Sequence, residues 1–436
     1  MRRPATMVIA AAMAAGLLAG CSGSKDPTVK VGLMYPTTGP QGPQGIEEKR
    51  GALLAAEWAN HHGGIGGRQL QLVTADLDRP EGVPDAMATL KGEGMSVVVG
   101  THGSAYSAVA AAEATRRHML IWETGAVGAV DWQPTLASDN PYAAGSASAD
   151  GPVAAGIDFI RMAPMGGDLG KAAVDFVATG LAPHLPRPGP FRWAVAYVDD
   201  AYGRAVESGA TAEVAATGQQ MVGTFAYPAS GADFTALAAR IAATHPDALY
   251  VSAYLADGMA LRRALAAAKV PLVVNLGTSS SYCMPAFGQA LGAAAVGVFA
   301  SDKPDAAAVR PDALSAEGRA TLAWAASQYR SRYHQEMTSH ALSGFADADA
   351  LFAHVLPRAG QASTGAVAAA AQTVKLPIGT LANGGGLDIA PPGAADAGDN
   401  RNAAGVIWEW VAPGVEAVVW PPAFATHPVA WTPIDQ

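Results

Sequence analysis

Apolar positions along this chain fall into two alternating patterns. Short β-branched runs read as strands, and longer stretches with apolar residues three or four apart read as helices. A first strand is expected over Val29–Met34, followed by a loop dense in breakers, Pro36 to Gly45. A helix follows over Ile46–Asn60 with Leu53, Leu54 and Trp58 on one face, then a glycine-rich turn and a strand over Gln69–Thr74. Glu81–Lys91 reads as a helix, Val97–Val99 as a fully buried strand, Ser104 to about Arg117 as a helix and Met119–Trp122 as a strand. The alternation restarts with strand Phe159–Met162, helix Leu169–Thr179, strand Arg192–Val198, helix Ala201–Ala216 and strand Met221–Tyr227. It continues through helix Phe234–Thr244, strand Ala248–Ser252, helix Asp257–Ala268 and strand Leu272–Leu276. A strand-like Gly297–Ala300 comes next, then a helix-rich stretch from Ser315 to about Pro357 and a loop from Asn383 to Asn402. Val406–Trp410 and Val415–Trp420 form a strand-like tail. Such alternation predicts an α/β protein with parallel sheets covered by helices on both faces. Two successive doubly wound units put strand-end loops on both sides of a shared cleft, where ligands of such sheets bind.

The stretch Ser96–Ala108, SVVVGTHGSAYSA, carries the clearest candidate chemistry. Gly100 and Gly103 open a turn where backbone can pass close to another group. Ser104 sits where an alanine-rich helix begins, and a helix N-terminus favours a carboxylate or phosphate. Ser104 can hydrogen-bond a ligand or simply cap its helix.

Composition changes the picture at the N-terminus. Arg2 and Arg3 precede an apolar run, Met7–Leu18, that is too short to span a bilayer and reads as a signal peptide over residues 1–20. Leu18-Ala19-Gly20-Cys21 followed by Ser22-Gly23-Ser24 resembles the bacterial lipobox, which implies a diacylglycerol on Cys21 and a polar tether over residues 21–28. Firm anchoring needs two or more acyl chains at about 0.8 kcal/mol per buried CH₂. The remaining chain exceeds the roughly 250–300 residues that one core sustains. Cys283 is the only other cysteine, so lipidation of Cys21 leaves no internal disulfide. The net charge is −9, from 28 basic and 37 acidic residues, with no basic run, which argues against nucleic acid.

Other chemistry is disfavoured on pattern. His102 lies two residues before Ser104, but the order Gly-Thr-His-Gly-Ser is not a nucleophile elbow, so catalysis is not expected. His102 reads as a cleft-lining or turn residue. Asp76 and Asp78 lack the remaining ligands of a calcium loop. Gly63–Gly67 follows a helix and precedes a strand, the reverse of a dinucleotide fingerprint, and Gly384–Gly386 lacks the Lys-Ser/Thr of a P-loop. Neither metal nor cofactor is expected.

Four marks in order resemble one family: Gly39-Pro40, the turn Asn60 to Arg68 with its paired glycines, the Val-Val-Gly…Ser104 loop, and Asp199-Asp200-Ala201-Tyr202-Gly203. Across essentially the whole mature chain the sequence is similar to type I solute-binding proteins of the leucine/isoleucine/valine-binding family, which serve ABC importers. The resemblance implies two Rossmann-like lobes joined by a three-crossover hinge, a Venus-flytrap fold. Residues 29–165 and 278–395 would form the first lobe, and 166–277 and 396–436 the second. It implies carboxylate recognition by Ser104 and by the loop Thr124, Gly125, Ala126 and Val127. Tyr202 would close from the second lobe, and Asp257, after Tyr254, would receive a ligand ammonium. Gln44, His102 and Gly103 complete the expected ligand-binding set. Departures are present: Asp257 stands for the family's glutamate, Ala105 and Tyr106 break its serine run, and Val127 stands for its threonine. Trp122 and Glu123 occupy positions where small or apolar residues are common. The expected function is a lipid-anchored, extracytoplasmic, monomeric binder that delivers an amino acid or related carboxylate or amide to a permease. A sensing receptor module on the same fold is the alternative.

Overall fold

The computed structural model describes residues 28–128, 157–186, 189–394 and 396–434. The expected signal peptide and Cys21 lie outside them. Among the described residues no helix is long and apolar enough to cross a membrane.

The first lobe is built on strands β1 (Thr28–Pro36), β2 (Gln69–Leu77), β3 (Val97–Val99), β4 (Leu120–Glu123) and β5 (Phe159–Arg161). They form a wholly parallel sheet in the order β2-β1-β3-β4-β5. The crossovers are α1 (Gly42–His61), α2 (Val83–Gly92) and α3 (Ser104–Arg117). Helix α1 begins four residues before the apolar pattern does, because Pro43 in its first turn supplies a fixed φ where no N–H is needed. Strands β3 and β4 are buried throughout, as continuous apolar runs between two helical layers must be.

Helix α4 (Gly166–Asp175) opens the second lobe. There β6 (Arg192–Val198), α5 (Ala201–Ala216), β7 (Gln220–Tyr227), α6 (Phe234–Ala242), β8 (Ala248–Ser252), α7 (Leu255–Ala267), β9 (Val274–Thr278), α8 (Pro285–Leu291) and β10 (Phe299–Asp302) follow in turn. The chain then returns to the first lobe through α9 (Ala316–Tyr333), α10 (Ser339–Asp349), α11 (Leu356–Ala359), α12 (Thr364–Thr373) and the small hairpin β11 (Lys375–Leu376) with β12 (Leu387–Asp388). The tail strands β13 (Val406–Ala412) and β14 (Val415–Trp420) complete the second sheet, in the order β14-β13-β10-β9-β8-β6-β7. Strands β13 and β14 run antiparallel on its edge.

Strand β5, where the alternation restarts, is the last strand of the first sheet, paired with β4, inside the span 29–165 expected for the first lobe. One expectation is corrected here. Residues 278–302, assigned to the first lobe, belong with the second: β10 pairs with β9 on one side and β13 on the other. Phe299 and Ala300 are fully buried in that central position, and β9-α8-β10 is simply one more parallel unit. The chain therefore crosses between lobes at 162–165, just after Asp302, and at 400–405. Arg161 joins two of these crossings. It is buried, its guanidinium donates to the Gly128 carbonyl and lies 3.5 Å from Asp399, and its backbone exchanges hydrogen bonds with Gly398 and Asn400.

Candidate ligand cleft

Strand-end loops from both sheets meet in a small cavity of about 20 Å³. The first lobe supplies Gln41 before α1, the β3–α3 loop with His102, Gly103 and Ser104, and the β4 loop with Gly125, Ala126 and Val127. The second supplies Tyr202, Tyr254, Ser279 and Ser280, and the crossing after β10 supplies Lys303. His340, at the start of α10, completes the lining.

The first-lobe loops are organised by Glu123. Its carboxylate has no exposure and accepts from the backbone N–H groups of Thr101, His102, Gly125 and Ala126 and from the hydroxyls of Thr101 and Ser107, at 2.6–3.1 Å. Burial alone would push its pKa up. The hydrogen bonds from Ser107, Thr101, Ala126 and Gly125 outweigh burial and hold it below the usual glutamate value. The anion thus fixes both loops before any solute arrives. His102 is held at φ +89°, a conformation rare for a residue with a Cβ and costing of order 1–3 kcal/mol. Its Nδ1 contacts Glu48 Oε1 at 2.9 Å. Gly125 is required next to this pair, because a Cβ there would stand 2.3 Å from Glu48 Oε1 and 2.6 Å from His102 Nδ1.

Beneath the loops lies a buried charge cluster. Glu48, fully buried, accepts from Thr124 Oγ1 at 3.0 Å and lies 3.7 Å from Lys303 Nζ. Burial opposes the Lys303 charge, but Glu48, Asp302, Asp347 and Glu123 together raise its pKa and keep it cationic. The Asp347 carboxyl is pushed well up, chiefly by burial. His340 is driven well below the ordinary histidine value by burial, with His102 and Lys303 adding to the effect, so it is neutral.

Across the cleft, Tyr254 bridges the lobes. Its hydroxyl accepts from Gln41 Nε2 at 3.0 Å and donates to Asp200 Oδ2 at 2.8 Å. Tyr202 bonds Thr278, and burial pushes its phenol up to about 12. Ser104 does not cap α3; that position is Gly103. The Ser104 hydroxyl instead accepts from Gly128 N at 2.9 Å, which leaves its own proton available to a ligand.

Seven of the ten expected residues therefore line one cavity: His102, Gly103, Ser104, Gly125, Ala126, Tyr202 and Tyr254. Three lie elsewhere. Thr124 is under the floor, bonded to Tyr35 at 2.7 Å and to Glu48. Gln44 lines an adjoining cavity, with Nε2 3.3 Å from Met284 Sδ. Asp257 sits behind Tyr254, accepting from Tyr227 OH at 2.5 Å and from Tyr254 N at 3.2 Å, in a capping box at the start of α7. Sequence reasoning missed Gln41, Ser279, Ser280, Lys303 and His340. Gln41 directly follows the Gly39-Pro40 mark, and Lys303 is a lone cation just beyond a strand. His340 has no local signal, because tertiary packing of α10 alone brings it to the cleft.

Two α/β lobes, three crossing segments and a polar cleft between facing strand-end loops define a hinged two-lobe binding protein. Comparison with known proteins agrees: the periplasmic binding protein family matches residues 28–401, and this chain belongs to that family. The Leu/Ile/Val-binding protein homolog 8 of Brucella abortus is 25% identical over 330 residues, 74% of this chain and 75% of the relative. A branched-chain amino acid transporter substrate-binding protein of Streptococcus pneumoniae, solved with isoleucine, superposes with a TM-score of 0.67 at 20% identity, covering 90% of this chain and 100% of the other. An ABC-transporter solute-binding protein of Rhodopseudomonas palustris, solved with benzoate, gives 0.67 at 18% identity, covering 94% and 99%.

Proposed function

We propose that this protein captures a small carboxylate-bearing solute, an amino acid or a related acid or amide, between its lobes and delivers it to an ABC importer. The observation that carries this reading is the cleft itself, where Ser104 and the first turn of α3 face Tyr202 and Tyr254 across a cavity with the buried Lys303 cation at its edge. A carboxylate suits that setting, because the α3 N-terminus and a cationic lysine both favour negative charge. Isoleucine and benzoate, the ligands named for two similar structures, share a carboxylate and little else. Gln41 Oε1, buried and without a partner among the described residues, is an acceptor for a ligand N–H or O–H. The lipobox-like Leu18 to Cys21 supports attachment to the outer face of the cell membrane.

The test starts from the compound that co-purifies, released by denaturation and identified by mass spectrometry. Calorimetry with that compound should show Ser104→Ala weakening binding by about 1–3 kcal/mol if the hydroxyl serves a carboxylate. Unchanged affinity would remove Ser104 from the site. Intact-mass analysis of membrane-extracted protein should show a lipid-modified Cys21 at the N-terminus, and an unmodified thiol would refute the anchor.

A further inference from the structure

The second cavity, about 370 Å³, adjoins the first, and His340 lines both. It lies between α1 and α10 of the first lobe and α8, β13 and β14 of the second. Four carboxylates line it: Glu47, Asp305, Glu336 and Glu416. Glu47 and Glu336 are paired with Arg50 and Arg330. Among the described residues Asp305 accepts only from backbone N–H groups, those of Ala307 and Ala308. Glu416 carries a buried Oε2 with no hydrogen-bond partner among the described residues. Gln44, 98% buried, turns its Nε2 to Met284, and its Oε1 is likewise without a partner among the described residues. Among the described residues lining the cavity there is no lysine or arginine. Acceptors from both lobes thus surround a space that holds no donor of matching charge, and buried acceptors left unmet are costly.

We propose that this cavity is a second subsite that takes a cationic group, a primary ammonium or guanidinium, on the far end of the same solute. The ligand is then a molecule with a carboxylate end at Ser104 and a cationic end between Gln44, Asp305 and Glu416. Isolated carboxylates this buried resist ionisation: burial holds Asp305 at about 6 and pushes Glu416 well up. A cation in the cavity would stabilise the charged form of both. The position between lobes gives the cation a second effect, since it is bound by both only when they are closed.

This inference rests on the solute-binding reading, and the experiment separates the two. Protein freed of ligand by unfolding and refolding is titrated by calorimetry with L-lysine against L-norleucine and with L-arginine against L-citrulline. Each pair shares the amino-acid head and differs in the charge at the tail. The cationic member is expected to bind at least tenfold more tightly, and the ratio is expected to collapse toward one in Glu416→Gln and in Asp305→Asn. Two variants are used so that a folding defect in one, read from its melting temperature, leaves the other decisive. A ratio near one in the wild type, a ratio unaffected in a folded variant, or no binding of any of the four would overturn the subsite. Norleucine or citrulline binding that is weakened by Ser104→Ala would leave the solute-binding reading standing without it. A co-purifying ligand with no cationic group would have the same meaning.

Discussion

At the residue scale the cleft depends on groups whose charge state burial has already set. Glu123 contributes stability that is fully present above its ordinary value of 4.5 and is lost as pH falls through its lowered native value. Glu123→Gln leaves several buried N–H donors without an anion and should cost about 2–4 kcal/mol at pH 7, with a flattened acid limb below pH 4.5. Chemical denaturation across pH checks both. His340 acts higher on the scale: buried neutral, its contribution is complete above 6.5 and declines as pH falls below that value. His340→Asn should therefore flatten the melting-temperature profile between about pH 6.5 and 5; an unchanged slope would show that other groups set it. Asp257 poses a sharper choice. Its carboxylate is engaged by Tyr227 and the Tyr254 N–H, both of which Asn can satisfy through its carbonyl oxygen. Asp257→Asn should change affinity for the co-purifying ligand less than about threefold, because no charge pair is broken. A hundredfold loss in calorimetry would instead make it the acceptor of a ligand ammonium.

At the element scale, α1 and α10 pack so closely that two glycines are obligatory. A Cβ on Gly51 would stand 2.0 Å from the Ala341 carbonyl oxygen, and one on Gly344 would stand 2.1 Å from that of Glu48. Both clashes are with backbone, so a side chain must separate the helices rather than turn aside. Gly51→Val should cost at least the roughly 3 kcal/mol at the upper end of ordinary overpacking, read as a drop in denaturation midpoint. Binding should fall with it, because α1 carries Glu48 and the Gln41 loop. Neither glycine is marked as special in a sequence this rich in glycine and alanine. By contrast α5, β8 and β14 were legible to the residue, α5 from the helical spacing of its apolar positions and the two strands, of which β8 is buried throughout, from short runs rich in β-branched and aromatic residues. Strand β10 was misassigned for a physical reason: at four residues, Phe299–Asp302, it is too short to show periodicity. Only its pairing with β9 and β13 decides which sheet it joins. The cleft divides the same way. Ser104 and Tyr202 stand at helix starts that the pattern marks. Lys303 and His340 reach the cavity through long-range packing that no local signal encodes.

At the scale of the whole molecule, the three crossings and the contact of Gln41 with Tyr254 describe a clamp held by few direct bonds between its lobes. Tyr254→Phe keeps the ring but removes bonds to Gln41 and Asp200, the second charge-assisted. The Asp200 bond lies within the second lobe, so only the neutral bond to Gln41 is lost from closure, and a loss of about 0.5–1.5 kcal/mol in ligand affinity is expected, measured against the co-purifying compound. The central claim is that solute is held between lobes that close on it, and small-angle X-ray scattering of one preparation, stripped of ligand and then saturated with it, tests this most directly. Closure about the hinge predicts a smaller radius of gyration and a narrower pair-distance distribution in the saturated sample, reversible on removal of the ligand. Superimposable profiles at verified saturation would contradict it.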